Sequence, residues 1–196
     1  MKKLIFNNPQ GVTREELQSD LLLLPLWRQK KALSFRFLID QVLCTKAYLL
    51  LKQALKQEYG IAENPEFDYL GHEKPVLRHH PDIHFNLSHC KSGVLCVVDQ
   101  QNVGCDIECI EEKLDINLCH FCFSEKEIED IMAAPSPCEQ FTVWWTRKEA
   151  YLKLTGIGLV DNLPALFTPD VMERVSFETV VDASHGYVYT ICYYKS

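Results

Sequence analysis

Helical periodicity followed by short alternating strands, twice along 196 residues, predicts an α+β fold. Three observations carry this. An apolar-patterned helical segment at residues 37–58 stops at Gly60, and a second that opens at Ser136-Pro137 stops at Thr155-Gly156. Each is followed by runs of strand-like residues bounded by turn formers. Within each group strand follows strand with no helix between, which favours antiparallel pairing over a doubly wound parallel sheet.

The elements read in order as follows. Thr13-Arg-Glu-Glu16 is a capping box that opens a short helix with Leu17, Leu21 and Leu24 on one side. The helix at 37–58 comes next, then a polar loop with Asn64-Pro65 and Gly71. Residues 83–87 and 93–98 alternate as strands, and Asp99-Gln-Gln-Asn102 is expected to turn the second into a strand at 103–108 as a hairpin. Ser124-Glu-Lys-Glu127 is a second capping box, and Ser136-Pro137-Cys-Glu139 a third, with Pro at the first helical position. Residues 171–181 and 187–194 are the expected closing strand pair.

Composition sets the class. The chain is 47% hydrophobic and 24% charged, enough for a substantial core. No stretch reaches the roughly 20 apolar residues of a membrane span, and the start Met-Lys-Lys-Leu-Ile-Phe-Asn-Asn-Pro has no signal-peptide pattern. Nine cysteines, an odd number without framework spacing, read as reduced core thiols of a cytoplasmic protein. Cys119-His-Phe-Cys122 lacks the second ligand pair that a zinc site needs. The net charge of −7 argues against nucleic-acid binding. It is unevenly placed: residues 1–100 hold 13 basic against 11 acidic side chains, and residues 101–196 hold 7 against 16. A ligand carrying both metal and phosphates would sit between such halves.

The chemistry concentrates in two segments. In a strand Val103-Gly-Cys-Asp-Ile-Glu108, Asp106 and Glu108 share a face. In a helix Trp145-Thr-Arg-Lys-Glu-Ala-Tyr-Leu-Lys153, Glu149 and Lys153 stack one turn apart, with Trp145 a turn earlier. Three acids and a Lys are what a magnesium ion on a diphosphate needs around it. By spacing alone the acids suit a solvated sheet face better than a metal site, and Glu149–Lys153 an ordinary surface pair.

With Phe123-Ser-Glu-Lys-Glu127, Gly156-Ile-Gly-Leu159, Lys74-Pro75 and Phe85-Asn-Leu-Ser-His89, these segments resemble the signature of the 4′-phosphopantetheinyl transferases of the surfactin-synthetase-activating type. The resemblance runs from about Arg28 to Gly186-Tyr187. It implies a pseudo-dimer of two similar lobes, each a small antiparallel sheet packed on helices, here residues 1–100 (coenzyme A phosphate and adenosine side) and 101–196 (metal and catalytic side). It implies transfer of the phosphopantetheine arm of coenzyme A to a serine of an apo acyl or peptidyl carrier protein, releasing 3′,5′-ADP, by a monomer with no membrane or nucleic-acid partner.

The resemblance also implies roles. Asp106, Glu108 and Glu149 hold Mg²⁺ against the diphosphate of coenzyme A. Lys153 meets the α-phosphate, and Glu127, Glu149 and Lys153 form the catalytic group. Glu127 is general base or indirect metal ligand, although the third position of a capping box favours Glu for local reasons alone. Ser88 and His89 face coenzyme A, His89 contacting the 3′-phosphate, as do Arg28 and Lys31. Lys74 and Pro75 lie along the adenosine, and Asp106 also faces the cofactor. The stretch 118–123, with Phe121 and Phe123, contributes to carrier docking, and Lys113 and Lys126 are the local bases.

Two departures stand out. Gly71-His72-Glu73-Lys74 lacks the usual Gly directly before Lys. Leu43-Cys44 replaces a cation and a hydroxyl, leaving Thr45 or Lys46 as substitutes. The second departure keeps open a catalytically weak protein that binds coenzyme A or a carrier. A Mg²⁺-dependent hydrolase of coenzyme A-like diphosphates is a further reading, without a motif to support it.

Overall fold

The computed structural model describes residues 1–70 and 74–195. The chain opens with strand β1 (Lys2–Asn7) and helix α1 (Arg14–Leu21), whose capping box is complete: Glu16 N donates to Thr13 Oγ1, and Thr13 N to Glu16 Oε2. Helix α2 (Leu26–Leu33) leads into the long α3 (Leu38–Tyr59). Gly60 ends α3 at φ +70°, a left-handed turn that glycine makes without steric cost. A hairpin of β2 (Phe67–Leu70) and β3 (Lys74–Leu77) follows, then β4 (His84–Cys90) and β5 (Gly93–Asp99).

The first three-stranded sheet has the antiparallel order β1-β5-β4, with Leu4 opposite Cys96 and Leu87 opposite Cys96 on the other side. Strand β5 lies between two neighbours, and Gly93 through Val98 are all buried. Helix α3 covers one face of this sheet, packing Leu43, Ala47, Leu51, Ala54 and Leu55 on Phe85, Val94, Cys96 and Val98.

The second half repeats the plan. Strand β6 (Val103–Cys109) is followed by α4 (Ile116–Cys122), α5 (Glu125–Ala133), α6 (Pro137–Thr155), α7 (Pro169–Arg174), β7 (Val175–Asp182) and β8 (Tyr187–Tyr194). The second sheet is antiparallel in the order β6-β8-β7, and α6 packs across it through Ala150 and Leu154. The predicted class holds: mixed helices and strands, with small antiparallel sheets packed on helices. The two sheets share an apolar cluster in which Leu95 and Val97 meet Cys105, Ile107, Tyr189 and Ile191. Asn86 Oδ1 accepts from Cys105 N at 2.9 Å, so β4 is tied directly to β6.

Several local expectations are corrected. Residues 99–102 do not close a hairpin, because β5 already pairs on both edges; they carry the chain from one sheet to the other. The polar loop after α3 contains the β2–β3 hairpin, whose Gly71-His72-Glu73 tip lies outside the described residues. The strand expected from 171 starts at Val175, and α7, capped by Thr168 Oγ1 on Val171 N, takes the residues before it. Ser136 makes no side-chain cap, whereas the Ser124 box forms in full. All nine cysteines are free thiols, and seven of them are buried. No helix among the described residues is long and apolar enough to cross a membrane.

Candidate active site at the seam between the sheets

Glycine decides how close the second long helix comes to its sheet. A Cβ on Gly104 would lie 2.1 Å from Ala150 O and 2.3 Å from Leu154 N, inside the backbone of α6. Only a residue without a side chain lets β6 and α6 touch there. Two positions further along β6, Asp106 therefore faces the last turn of α6.

Asp106 is 1% exposed. Its Oδ1 accepts from Lys153 Nζ at 2.5 Å and from Ser88 Oγ at 2.7 Å, and Lys153 Nζ also donates to Ser88 Oγ at 3.0 Å. Three residues from β4, β6 and α6 thus close a triangle across the seam. Asp106 Oδ2 is buried and has no hydrogen-bond partner among the described residues. A buried carboxylate oxygen without a protein partner is costly by itself and suits a cation or donor supplied by a ligand.

Glu108 and Glu149 complete the group. Burial, then the charge of Asp106, with a further contribution from Glu149, pushes the Glu108 carboxyl up to about 7. Burial, with Asp106 adding and Lys153 opposing, raises Glu149 above the ordinary glutamate range. For Lys153 burial works downward, but Asp106 outweighs it and holds the ammonium above its usual value. Three acids therefore repel one another around one amine.

The family resemblance implies Mg²⁺ here, and the donor chemistry fits. The oxygens are hard, one of them is orphaned, and the negative charge is under-compensated. No three His, Cys, Asp or Glu side chains among the described residues are yet gathered as a metal cage. Asp106, Glu108 and Glu149 are the residues that would hold the ion.

Glu127 lies in a different group. Its Oε2 accepts from Ser124 N at 2.8 Å, Ser124 Oγ at 3.0 Å and Lys148 Nζ at 3.0 Å. Lys148 is fully buried and also donates to Leu163 O at 2.8 Å. Nothing in the residue pattern flagged Lys148, since a Lys beside Glu in a helix reads as a solvated pair.

The remaining predicted residues spread along the first half. His89 follows Ser88 on β4, exposed at the rim. Arg28 donates to Cys44 O at 3.2 Å and lies over the Tyr48 ring. Lys31 is exposed and, with Trp27, Phe67, Tyr69 and Arg78, lines an open cavity of about 530 Å³. Pro75 sits in β3 opposite Tyr69. Lys74 turns inward, donating to Asn102 Oδ1 at 2.8 Å and Leu154 O at 3.1 Å, so its ammonium ties β3 to the end of α6. Leu43 and Cys44 are buried in apolar clusters. Thr45 is buried, its hydroxyl unpartnered among the described residues, and Lys46 is held by Asp20 at 2.6 Å. Phe123 is core, whereas Phe121, Lys113 and Lys126 are exposed.

Comparison with known proteins bears on the same segments. The sequence model described as the 4′-phosphopantetheinyl transferase superfamily matches residues 102–191, which contain the second sheet and α6 almost entirely. The chain is a relative of the 4′-phosphopantetheinyl transferases. It is 36% identical over 142 residues to 4′-phosphopantetheinyl transferase psf-1 of Bacillus pumilus, covering 71% of this chain and 60% of that one. To 4′-phosphopantetheinyl transferase Sfp of Bacillus subtilis it is 29% identical over 114 residues, 57% of this chain and 50% of that one. To the L-aminoadipate-semialdehyde dehydrogenase-phosphopantetheinyl transferase of Saccharomyces cerevisiae it is 28% identical over 176 residues, 78% and 64% of the two chains. The matched stretch thus spans between half and just under two thirds of each of these relatives. The resemblance read from the motifs, including its surfactin-synthetase-activating type, is borne out.

Proposed function

We propose that this chain transfers the 4′-phosphopantetheine group of coenzyme A to a serine of an apo acyl or peptidyl carrier protein, giving holo carrier and 3′,5′-ADP. The observation that carries the reading is the Ser88–Asp106–Lys153 triangle with Glu108 and Glu149 beside it, at a seam where two sheets meet. Residues 1–100 supply the coenzyme A side and residues 101–196 the metal side, in a cytoplasmic monomer.

A serine hydroxyl is a weak nucleophile and a diphosphate a charged electrophile, so the site must neutralise charge and position the reactants in line. Lys153, an ammonium at neutral pH, is placed to meet a phosphate oxygen and the charge that develops on it. Asp106 and Ser88 orient that ammonium. Mg²⁺, when held by Asp106, Glu108 and Glu149, supplies Lewis-acid neutralisation of the diphosphate. Glu149 projects from the same helix face as Lys153, and an acid of the group Glu127 and Glu149 takes the serine proton, directly or through water. His89, Arg28 and Lys31 meet the 3′-phosphate from the first half, and Lys74 and Pro75 shape the floor under the adenosine. The exposed Phe121 on α4, with Lys113 and Lys126 nearby, is the docking surface for the carrier.

The second reading is a sequestering protein that binds coenzyme A without turnover. The burial of Leu43 and Cys44 favours it, since neither offers a cation and Lys46, on the same turn of α3, is already paired with Asp20. One experiment separates them: mass spectrometry of an apo carrier protein incubated with the chain, coenzyme A and Mg²⁺, with Asp106→Ala as control. A gain of about 340 Da, absent from the control, is the expected result. Coenzyme A binding without any gain, across several carriers, establishes the sequestering protein instead.

A further inference from the structure

Lys148 has no exposed side-chain surface, yet it carries a charged head group in the middle of a helix. That head group is fully used. It donates to Glu127 Oε2 at 3.0 Å and to Leu163 O at 2.8 Å, and it lies 5.4 Å from the Phe123 ring centre and 5.1 Å from that of Phe167. Glu127 belongs to α5, Leu163 to the turn after α6, and Phe123 to the end of α4. One amine therefore joins four segments of the second half.

Its place on the helix matters more than its contacts. Lys148 immediately precedes Glu149, about 100° away around α6. On the other side of Glu149 the helix is held by Thr146 Oγ1, 2.8 Å from Thr190 Oγ1 of β8. Glu149 and Lys153 stand on the arc between these two fixings, so the angle at which they meet Asp106 depends on both. Glu127 meanwhile borders a cavity of about 350 Å³ with Lys126, Asp130, Trp144 and Phe167, and none of Asp106, Glu108, Glu149 or Lys153 lines that cavity.

We infer that Lys148 is a positioning residue for the transfer and that Glu127 acts through it, as the buried anchor of its ammonium, rather than as the acceptor of the serine proton. The inference rests on the transferase reading. A buried pair of this kind is costly to break from one side and tolerant of removal from both, because single deletion strands a charge. A proton acceptor behaves differently: deleting it is never repaired by deleting its partner as well.

The test is steady-state transfer to an apo carrier by Glu127→Gln, Lys148→Met and the double variant, with pH profiles of kcat. Positioning predicts a loss of about tenfold or less for Glu127→Gln with the profile's shape kept. It predicts a loss of about 100-fold in kcat for Lys148→Met, and at least about tenfold recovery in the double variant. A fall of about 1000-fold for Glu127→Gln, with its rising pH limb gone and a double variant equally inactive, overturns the inference in favour of general-base catalysis. If Lys148→Met does not fold, Glu127→Gln and the double variant decide alone. Should the unmodified chain transfer to no carrier yet bind coenzyme A, the transferase reading has failed separately. Calorimetric affinity for coenzyme A then reads the same pattern of loss and recovery, and its absence overturns the inference. An unmodified chain that neither transfers nor binds overturns both.

Discussion

Lys153 Nζ stands 2.5 Å from Asp106 Oδ1, an ion pair that joins the last turn of α6 to the middle of β6. The acid is nearly inaccessible, and the amine keeps about a third of its exposure, 2% against 31%. Lys153→Met strands Asp106 with Ser88 as its remaining donor. The expected loss is about 2 kcal/mol of unfolding free energy, below the roughly 3–5 kcal/mol for a fully buried pair because solvent screens the lysine. Urea unfolding at pH 7 measures it, and Asp106→Asn added to Lys153→Met is expected to return part of the loss. A single variant as stable as the parent chain would show that the pair does not hold the seam.

Crowding of Asp106, Glu108 and Glu149 makes the metal-free site a point of repulsion. Glu108→Gln removes a carboxyl that is about half ionised at neutral pH and keeps the shape. Without metal the variant is expected to be more stable by about 1 kcal/mol, and Mg²⁺ is expected to raise the melting temperature of the parent chain by several degrees and that of the variant by less. Equal shifts in the two proteins would place Mg²⁺ binding away from these acids.

What was legible in the residues, and what was not, divides along range. Asp106 with Glu108, and Glu149 with Lys153, follow from periods of two and 3.6 that operate within a few residues. The capping boxes at Thr13 and Ser124 are equally local and both form. Sheet order is not local: β5 pairs with β1, some 90 residues earlier, and with β4, so the residues at 99–102, which locally suit a hairpin, have no free edge of β5 to close on. Strand β1 itself, Lys2-Lys3-Leu-Ile-Phe-Asn7, carries too little alternation to announce itself. Lys148 is the sharpest case. A lysine in a charged helical stretch reads as solvated, and only Phe123, Phe167 and Glu127, brought from elsewhere, make it buried.

Lys74 supplies a pH prediction away from the acids. Burial pushes its ammonium down to about 8 from an ordinary value of 10.5. Below pH 8 the amine is protonated both folded and unfolded, so the cost of burying the charge is carried in full. Between pH 8 and 10.5 the unfolded chain keeps a proton that the folded chain has released, and stability rises with pH. Relative to Lys74→Met, the parent chain should therefore gain stability across that window. Paired urea curves at pH 7.5, 9 and 10 read the difference, and a constant gap would mean that Lys74 is charged throughout in the folded protein.

Gly104 gives the last and strictest prediction. The contact of β6 with α6 passes through backbone, and the space for a Cβ is already filled by Ala150 O and Leu154 N. Neither can rotate away as a side chain would, so Gly104→Ala must push the strand and helix apart. Overpacking of this kind costs typically about 1–3 kcal/mol and here is expected at or above the upper figure. The displacement falls two residues from Asp106 and within one residue of Lys153, so loss of stability and loss of function should come together: coenzyme A-dependent transfer should drop more than about 100-fold even at temperatures where the variant is folded. Circular dichroism to confirm folding, followed by the carrier mass assay at 15 °C, separates the two effects. A folded variant with near-parental transfer would show that the close approach at Gly104 does not set the distance between Lys153 and Asp106.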